Sequence, residues 1–183
     1  MGTGRSQRQL GMIGEVRAVV AELGTEVWLR GGWAVDFWLG KVTREHEDVD
    51  WFAWARDARA LRERLVALGY EVLRADAQQV DLARDGEELS FALVARGDGG
   101  AVVAAGGPWA GTAWPAGMLE PTVTGRLGGV ESPVVSPEAQ IEIKLMTPVW
   151  MPQRPRRPKD AEDVARLEAG LRARSAGPAG DSP

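Results

Sequence analysis

The sequence predicts an α/β domain in which helices flank a small mixed β-sheet. Apolar residues recur at helical spacing over residues 12–23 and 61–68. Short apolar runs typical of strands lie between these helical segments, at 26–30 and 49–55. The dipeptide Asp85-Gly86 joins two alternating runs, which is a strong β-hairpin signal. Helical and strand patterns interspersed in this way favour layers of helix and sheet.

The remaining elements each have a local signal. A Gly-Gly turn and a closing Gly40 bracket a short helix over 33–39. Asp57 is placed to cap the helix at 61–68, and Ser136 with Pro137 begins a later one. We also expect frayed residues at 1–9, a strand at 70–73, hairpin strands at 79–84 and 88–94, short strands at 101–104 and 119–127, and a last helix from Lys159.

Composition bounds the class of protein. The chain has 183 residues, of which 44% are hydrophobic and 26% charged, as in soluble globular domains. It has no cysteine, so disulfides, thiolate metal sites and cysteine nucleophiles are excluded. No apolar run is long enough for a membrane span, and no signal peptide is visible. The net charge of −4 argues against a large nucleic-acid footprint. We therefore expect a cytoplasmic protein that acts on a small molecule.

The residues that carry chemistry concentrate between Gly31 and Asp50. The pair Gly31-Gly32 lets backbone approach a ligand closely, and the helix after it offers free N–H groups to a phosphate. Asp48 and Asp50 begin a strand, so they face the same side about 6.6 Å apart. Such a pair is costly unless a cation offsets it, and Mg²⁺ binds one or two carboxylates with waters and phosphates. The stretch therefore predicts phosphoryl or nucleotidyl transfer.

Two segments carry a family resemblance. Residues 31–36 (Gly-Gly-Trp-Ala-Val-Asp) and 43–50 (Thr-Arg-Glu-His-Glu-Asp-Val-Asp) together resemble the signature of the polymerase-β-like nucleotidyltransferase superfamily. In particular they resemble the aminoglycoside 2''-adenylyltransferase and lincosamide nucleotidyltransferase group. The resemblance implies a minimal nucleotidyltransferase fold. We expect a nucleotidyltransferase-like domain at 1–150, a connector and C-terminal helix packed on it at 151–174, and a low-complexity, disordered tail at 175–183.

The resemblance also implies site roles. Asp48 and Asp50 would bind Mg²⁺, while Gly31, Gly32 and the helix after them would hold the phosphates of ATP or another nucleoside triphosphate. Lys144 matches a lysine that faces the triphosphate. The segment 43–46 orders the loop beside the metal.

Several residues near this site keep two interpretations. Arg44 either reaches phosphate or pins a carboxylate, and His46 is expected to hold the loop rather than to transfer a proton. Trp33 either contacts the nucleotide or packs under the sheet. Trp109 and Trp114 either wall an acceptor pocket or cap the core.

One position departs from the family pattern. In the superfamily, the second strand of the hairpin carries a third carboxylate that helps to bind metal and can act as the general base. The matching residue here is Ser90, which can do neither. Glu88, two residues earlier on the same strand face, could replace it, and Asp81 on the partner strand is another candidate. Otherwise the third acid is absent.

The sequence thus predicts an Mg²⁺-dependent nucleotidyltransferase, a monomer or dimer, whose acceptor is a hydroxyl of a small molecule such as an aminoglycoside or lincosamide antibiotic. One alternative is a degenerate protein of the same fold that binds ligands or regulates, or serves other small-molecule chemistry. Another is a toxin-like enzyme that modifies tRNA or protein.

Overall fold

The computed structural model describes residues 4–176. Within that range it contains five α-helices and one eight-stranded sheet. The helices are α1 Gly4–Leu23, α2 Gly31–Leu39, α3 Ala58–Ala67, α4 Pro137–Trp150 and α5 Pro158–Ser175. The strands are β1 Val27–Leu29, β2 Val49–Trp54, β3 Glu71–Ala75, β4 Gln79–Arg84, β5 Glu87–Arg96, β6 Val102–Ala104, β7 Val123–Leu127 and β8 Val130–Val134.

The sheet is mixed, as predicted. Its strand order is β3-β4-β5-β2-β1-β8-β7, and β6 pairs with the end of β5. The strand β2 lies near the centre, antiparallel to β1 and parallel to β5. The predicted hairpin of β4 and β5 is confirmed. Its turn residues Asp85 and Gly86 both have positive φ, 53° and 77°, which suits a two-residue hairpin turn.

Both faces of the sheet bury apolar residues, and β2 contributes side chains to each face. Trp51 and Ala53 of this strand belong to the larger cluster, which also contains apolar residues of α1, α2, α3 and α5. Phe52 and Trp54 alternate with them and lie in a second cluster on the opposite face. There, the segment around Met118 and the first turn of α4 cover the strands. Most helices therefore lie on one face of the sheet, while irregular chain and the start of α4 cover the other.

Three local predictions were wrong. Helix α1 begins at Gly4, so residues 4–9 are helical, and Gln9 is fully buried because it bonds to the core indole of Trp33. The side chain of Asp57 makes no cap bond, since its carboxylate accepts a hydrogen bond from Thr25. The Gly- and Pro-rich section contains an unpredicted strand, β8, which pairs with β7.

Gly40 ends α2 in the left-handed conformation at φ 73°, as predicted. Of the tail expected at 175–183, only Ser175 and Ala176 fall within the described residues. Among residues 4–176, no helix combines the length and the apolar character needed to cross a membrane.

Candidate active site

The two carboxylates of the predicted site lie where β2 begins. Asp48 directly precedes this strand and Asp50 is its second residue. Asp50 shares the face of Phe52 and Trp54, opposite to α1, α2 and α3, because side chains alternate along a strand. Arg30 directly follows β1, and its backbone N–H donates to the carbonyl of Asp50 over 2.9 Å. The end of β1, the start of α2 and the acidic pair therefore meet at one place.

Gly31 lies directly against the carboxylate of Asp50. Its φ is +66°, a conformation that L residues rarely adopt, and a Cβ there would lie 2.9 Å from Asp50 Oδ2. Any side chain at this position would be strained and would crowd the carboxylate. The glycine therefore lets the first turn of α2 approach the Asp50 carboxylate closely.

Gly32 has a different neighbour. A Cβ here would lie 2.3 Å from His46 Nδ1 and 2.6 Å from a terminal nitrogen of Arg44. The absence of a side chain allows the loop at 43–47 to pack on the first turn of α2. Gly31 thus accommodates the Asp50 carboxylate, and Gly32 accommodates the loop.

The acidic pair is electrostatically unfavourable by itself. Asp48 is accessible to solvent, yet enough protein surrounds its carboxylate for desolvation to raise its pKa, and the charge of Asp50 raises it further. The positive charges of Lys159 and Arg30 partly oppose this effect. A bound cation would relieve the remaining repulsion.

The donors present fit Mg²⁺. Within residues 4–176, no group of three or more histidine, cysteine, aspartate or glutamate side chains forms a protein-only metal site. Mg²⁺ does not need one, since it is commonly held by one or two carboxylates with waters and substrate phosphates. Asp48 and Asp50 supply two hard oxygen donors of this kind, and the lack of a side chain at Gly31 keeps Asp50 uncrowded.

The loop before the acidic pair is held by buried polar contacts. His46 is buried, and its Nε2 lies 2.6 Å from Asp36 Oδ2. Arg44 approaches the other ring nitrogen, Nδ1, at 3.0 Å. Because arginine can only donate, Nδ1 accepts and Nε2–H donates to Asp36. Asp36 also accepts from the backbone and hydroxyl of Thr43. This arrangement agrees with the expectation that His46 holds the loop.

Asp163 of α5 connects this loop to α4. Its fully buried carboxylate accepts from Arg44 at 3.0 Å and from Lys144 at 2.9 Å. Burial alone would raise its pKa, but the hydrogen bonds and charges of Arg44 and Lys144 outweigh that effect and lower it. Arg44 therefore pins a carboxylate, one of its two expected roles. Lys144 is engaged with Asp163 and Asp160 rather than free.

Trp33 is a core residue. Its side chain is 1% exposed, and its indole N–H donates to Gln9 over 3.0 Å. The ring also packs against Phe37 and His46. Of the two interpretations of Trp33, the structure favours packing under the sheet.

The candidates for the third carboxylate occupy different positions. In the parallel pairing of β2 with β5, Asp50 is in register with Ser90, and Ser90 is in register with Asp81 on the far side. Glu88 is exposed and pairs with Ala83, two residues along β5 from that row. Asp81 therefore lies in the same cross-strand row as Asp50, whereas Glu88 lies outside that row, two residues away along β5.

Sequence reasoning did not place Lys159 or Arg30 beside the acidic pair. Lys159, Arg30 and Arg157 all interact electrostatically with Asp48, and Lys159 also pairs with Glu47 at 2.9 Å. Lys159 lies in the first turn of α5, the last of the predicted helices. No local pattern could place it beside a loop 112 residues away.

The two tryptophans of the Gly- and Pro-rich section differ. Trp114 packs edge-on against Phe52 with ring centroids 5.0 Å apart, so it covers the second cluster. Trp109 is 42% exposed. The capping interpretation thus holds for Trp114.

Comparison with known proteins supports one family. A model of the aminoglycoside-2''-adenylyltransferase family matches residues 12–167. A 2''-aminoglycoside nucleotidyltransferase of Klebsiella pneumoniae and one of Escherichia coli are each 43% identical over 42 residues, which make up 23% of this chain. The matched part spans about a quarter, 24%, of the length of these relatives.

Solved structures share the fold. The crystal structure of ANT(2'')-Ia in complex with adenylyl-2''-tobramycin matches with a TM-score of 0.73 and 23% identity, covering 92% of both chains. The lincomycin-bound lincosamide antibiotic adenylyltransferase LnuA matches with a TM-score of 0.66 and 20% identity, covering 85% of this chain and 93% of its own. These likenesses confirm the nucleotidyltransferase fold. Since the family model spans most of the sequence, including the acidic pair, the chain belongs to the aminoglycoside-2''-adenylyltransferase family.

Proposed function

We propose that the chain transfers a nucleoside monophosphate from ATP, or another nucleoside triphosphate, to a hydroxyl of a small molecule. An aminoglycoside or lincosamide antibiotic is the acceptor class that the family and the matched structures support. The observation that carries the proposal is the acidic pair at the start of β2, in which the carboxylate of Asp50 lies against Gly31 at the start of α2. The proposal includes a cytoplasmic location, where nucleoside triphosphates are abundant.

Each group would act through simple electrostatics. Asp48 and Asp50 would hold Mg²⁺, which when bound offsets phosphate charge and makes the α-phosphorus more electrophilic. The first turn of α2 has backbone N–H groups without helical partners, and these would bind phosphate oxygens. Lys159 and Arg30 supply positive charge near Asp48. Arg44 and Lys144 are already paired with Asp163, so we assign them mainly to support of the loop.

One observation favours a second candidate function. Ser90 occupies the position next to Asp50 where the family pattern has a carboxylate. If nothing replaces that acid, the chain would bind nucleotide without efficient transfer. It would then be a binding or regulatory module of the same fold.

Product formation separates the two functions. The native chain is incubated with Mg²⁺, each of the four ribonucleoside triphosphates, and tobramycin or lincomycin, and the acceptor is analysed by mass spectrometry. We expect one acceptor to gain the mass of one nucleoside monophosphate, with release of pyrophosphate. The product should be lost with a chelator and in Asp50→Asn. Binding of triphosphate with no modified acceptor would instead support the second candidate.

A further inference from the structure

A hydrogen-bonded unit lies directly beside Asp50 on the sheet. Ser90 Oγ is 2.7 Å from Asp81 Oδ1. Gln79 Nε2 contacts both, at 2.7 Å from Asp81 Oδ1 and 2.9 Å from Ser90 Oγ. All three side chains are half-buried, so the unit is neither sealed in the core nor fully solvated.

The direction of these hydrogen bonds follows from the groups themselves. The amide nitrogen of Gln79 can only donate, so Ser90 Oγ accepts from it. An ionised Asp81 can only accept, so the Ser90 hydroxyl proton points to Asp81. A hydroxyl oxygen has two acceptor lone pairs, and Gln79 uses one of them. The second lone pair of Ser90 can accept a proton from another hydroxyl.

Distance decides what Asp81 can do. Asp50, Ser90 and Asp81 lie on three successive strands in one row. Neighbouring strands are about 4.8 Å apart, so the backbones at Asp50 and Asp81 are separated by about 10 Å. Ser90 lies between Asp81 and Asp50, and Asp81 Oδ1 already accepts from Ser90 and Gln79, so we assign Asp81 to the path of the proton and not to a metal ion shared with Asp50. It is well placed to receive a proton through Ser90.

We propose that Ser90 and Asp81 form a proton relay that replaces the missing carboxylate base. This inference rests on the proposed function. The acceptor hydroxyl passes its proton to Ser90 Oγ while the Ser90 proton moves to Asp81 Oδ1. The acceptor oxygen forms a bond to the α-phosphorus, the bond from that phosphorus to the bridging oxygen of the β-phosphate breaks, and its electron pair leaves with pyrophosphate. Asp81 then returns the proton to solvent, since its side chain is half-exposed.

Gln79 is a positioning residue in this scheme. Its amide holds the Ser90 oxygen and the Asp81 carboxylate at once, so the relay is aligned before an acceptor binds. Glu88 takes no part, because it lies outside the row and is exposed to solvent.

The test uses the full chain with Mg²⁺ and ATP, and with tobramycin and lincomycin as acceptors. Asp81→Asn keeps an acceptor oxygen for Ser90 but is not basic, and Ser90→Ala removes the hydroxyl. We expect each to lower kcat by about 100-fold or more, the range of general base catalysis, with KM for ATP little changed. Ser90→Thr, which keeps the hydroxyl, should retain at least tenfold more kcat than Ser90→Ala. Asp85→Asn, an exposed aspartate of the hairpin turn, is the matched control and should also stay near native.

Two readouts distinguish a relay from a structural role. Thermal stabilisation by Mg²⁺ with ATP should be the same in the native chain and in each single variant, which reports an intact nucleotide site without relying on turnover. In the double variant with Asp81→Asn and Ser90→Asp, the new carboxylate lies beside Asp50, and kcat should recover at least tenfold over Asp81→Asn alone.

Native kcat in Asp81→Asn would overturn the relay while leaving the proposed function intact. Loss of ATP-dependent stabilisation in Asp81→Asn would also overturn it, by placing Asp81 in the nucleotide site. If the native chain binds ATP but modifies no acceptor, the proposed function and the relay both fail.

Discussion

Gly32, in the first turn of α2, determines how closely the loop that leads to the acidic pair can pack on this helix. The hydrogen in place of a side chain lets His46 and Arg44 approach the first turn of α2. His46 then bonds to Asp36, and Arg44 reaches Asp163. The loop can take this position because Gly32 has no Cβ.

Gly32→Ala should destabilise the fold. The added methyl would lie within van der Waals overlap of two partly buried side chains, and overpacking of this kind costs about 1–3 kcal/mol. Urea unfolding followed by tryptophan fluorescence measures the free energy of unfolding. The matched control is Gly11→Ala in α1, where a Cβ meets nothing within 4 Å. That change should leave stability equal or higher by about 0.5–1 kcal/mol, because alanine is the better helix former. Equal stability of the two variants would contradict the packing argument.

At the scale of elements, ion pairs as well as apolar contacts join α5 to the rest of the protein. Asp163 joins Arg44 of the loop and Lys144 of α4, and its carboxylate has no exposure to solvent. Removal of one partner from a buried ion pair commonly costs about 3–5 kcal/mol, because the remaining charges stay buried.

Asp163→Asn should therefore lose stability in a pH-dependent way. The pKa of Asp163 is lowered in the folded state, so its contribution is complete above the unfolded value of about 3.9 and is lost as pH falls through the folded pKa. The stability difference between native and variant should be largest near pH 7 and shrink below about pH 4. Unfolding free energies from pH 3 to pH 7 measure it.

Glu162→Gln is the control for this series. Glu162 is a neighbour on α5 whose exposed carboxylate pairs only with Arg166 in the described structure. An exposed pair contributes about 0–1 kcal/mol, so the change should be small at every pH. If the cost of Asp163→Asn were the same at all pH values, the charge of Asp163 would not be its source.

The same elements explain how far the sequence could be read. Asp48, Asp50, Gly31 and the hairpin are specified by spacings of a few residues, so local patterns found them. The bond from Arg44 to Asp163 spans 119 residues and depends on how α5 docks. The strand β8 was missed because Pro133 and the flanking glycines hide its alternation. The row of Asp50, Ser90 and Asp81 needed the strand register, which local sequence patterns do not provide.

At the scale of the whole molecule, the two faces of the sheet have different roles. The helices α1, α2 and α3 bury the larger cluster on one face. Asp50, Ser90 and Asp81 lie on the other face, where irregular chain covers only part of the strands. The start of α2 contacts this row at its edge through Gly31. The sheet, backed by helices on one face, thus presents the candidate site on the other, where Asp50, Ser90 and Asp81 are half-exposed.

The most direct test of the central claim is thermal stabilisation by each ribonucleoside triphosphate, with and without Mg²⁺. A ligand that binds only the folded state stabilises it by about 2.7 kcal/mol at a hundredfold excess over Kd. We expect an Mg²⁺-dependent rise in Tm for the native chain and for Asp98→Asn, an exposed control, with at least one triphosphate. Asp50→Asn should abolish the rise. No rise at millimolar triphosphate, or an equal rise in Asp50→Asn, would contradict the assignment of Asp48, Asp50 and Gly31 as a nucleotide and metal site.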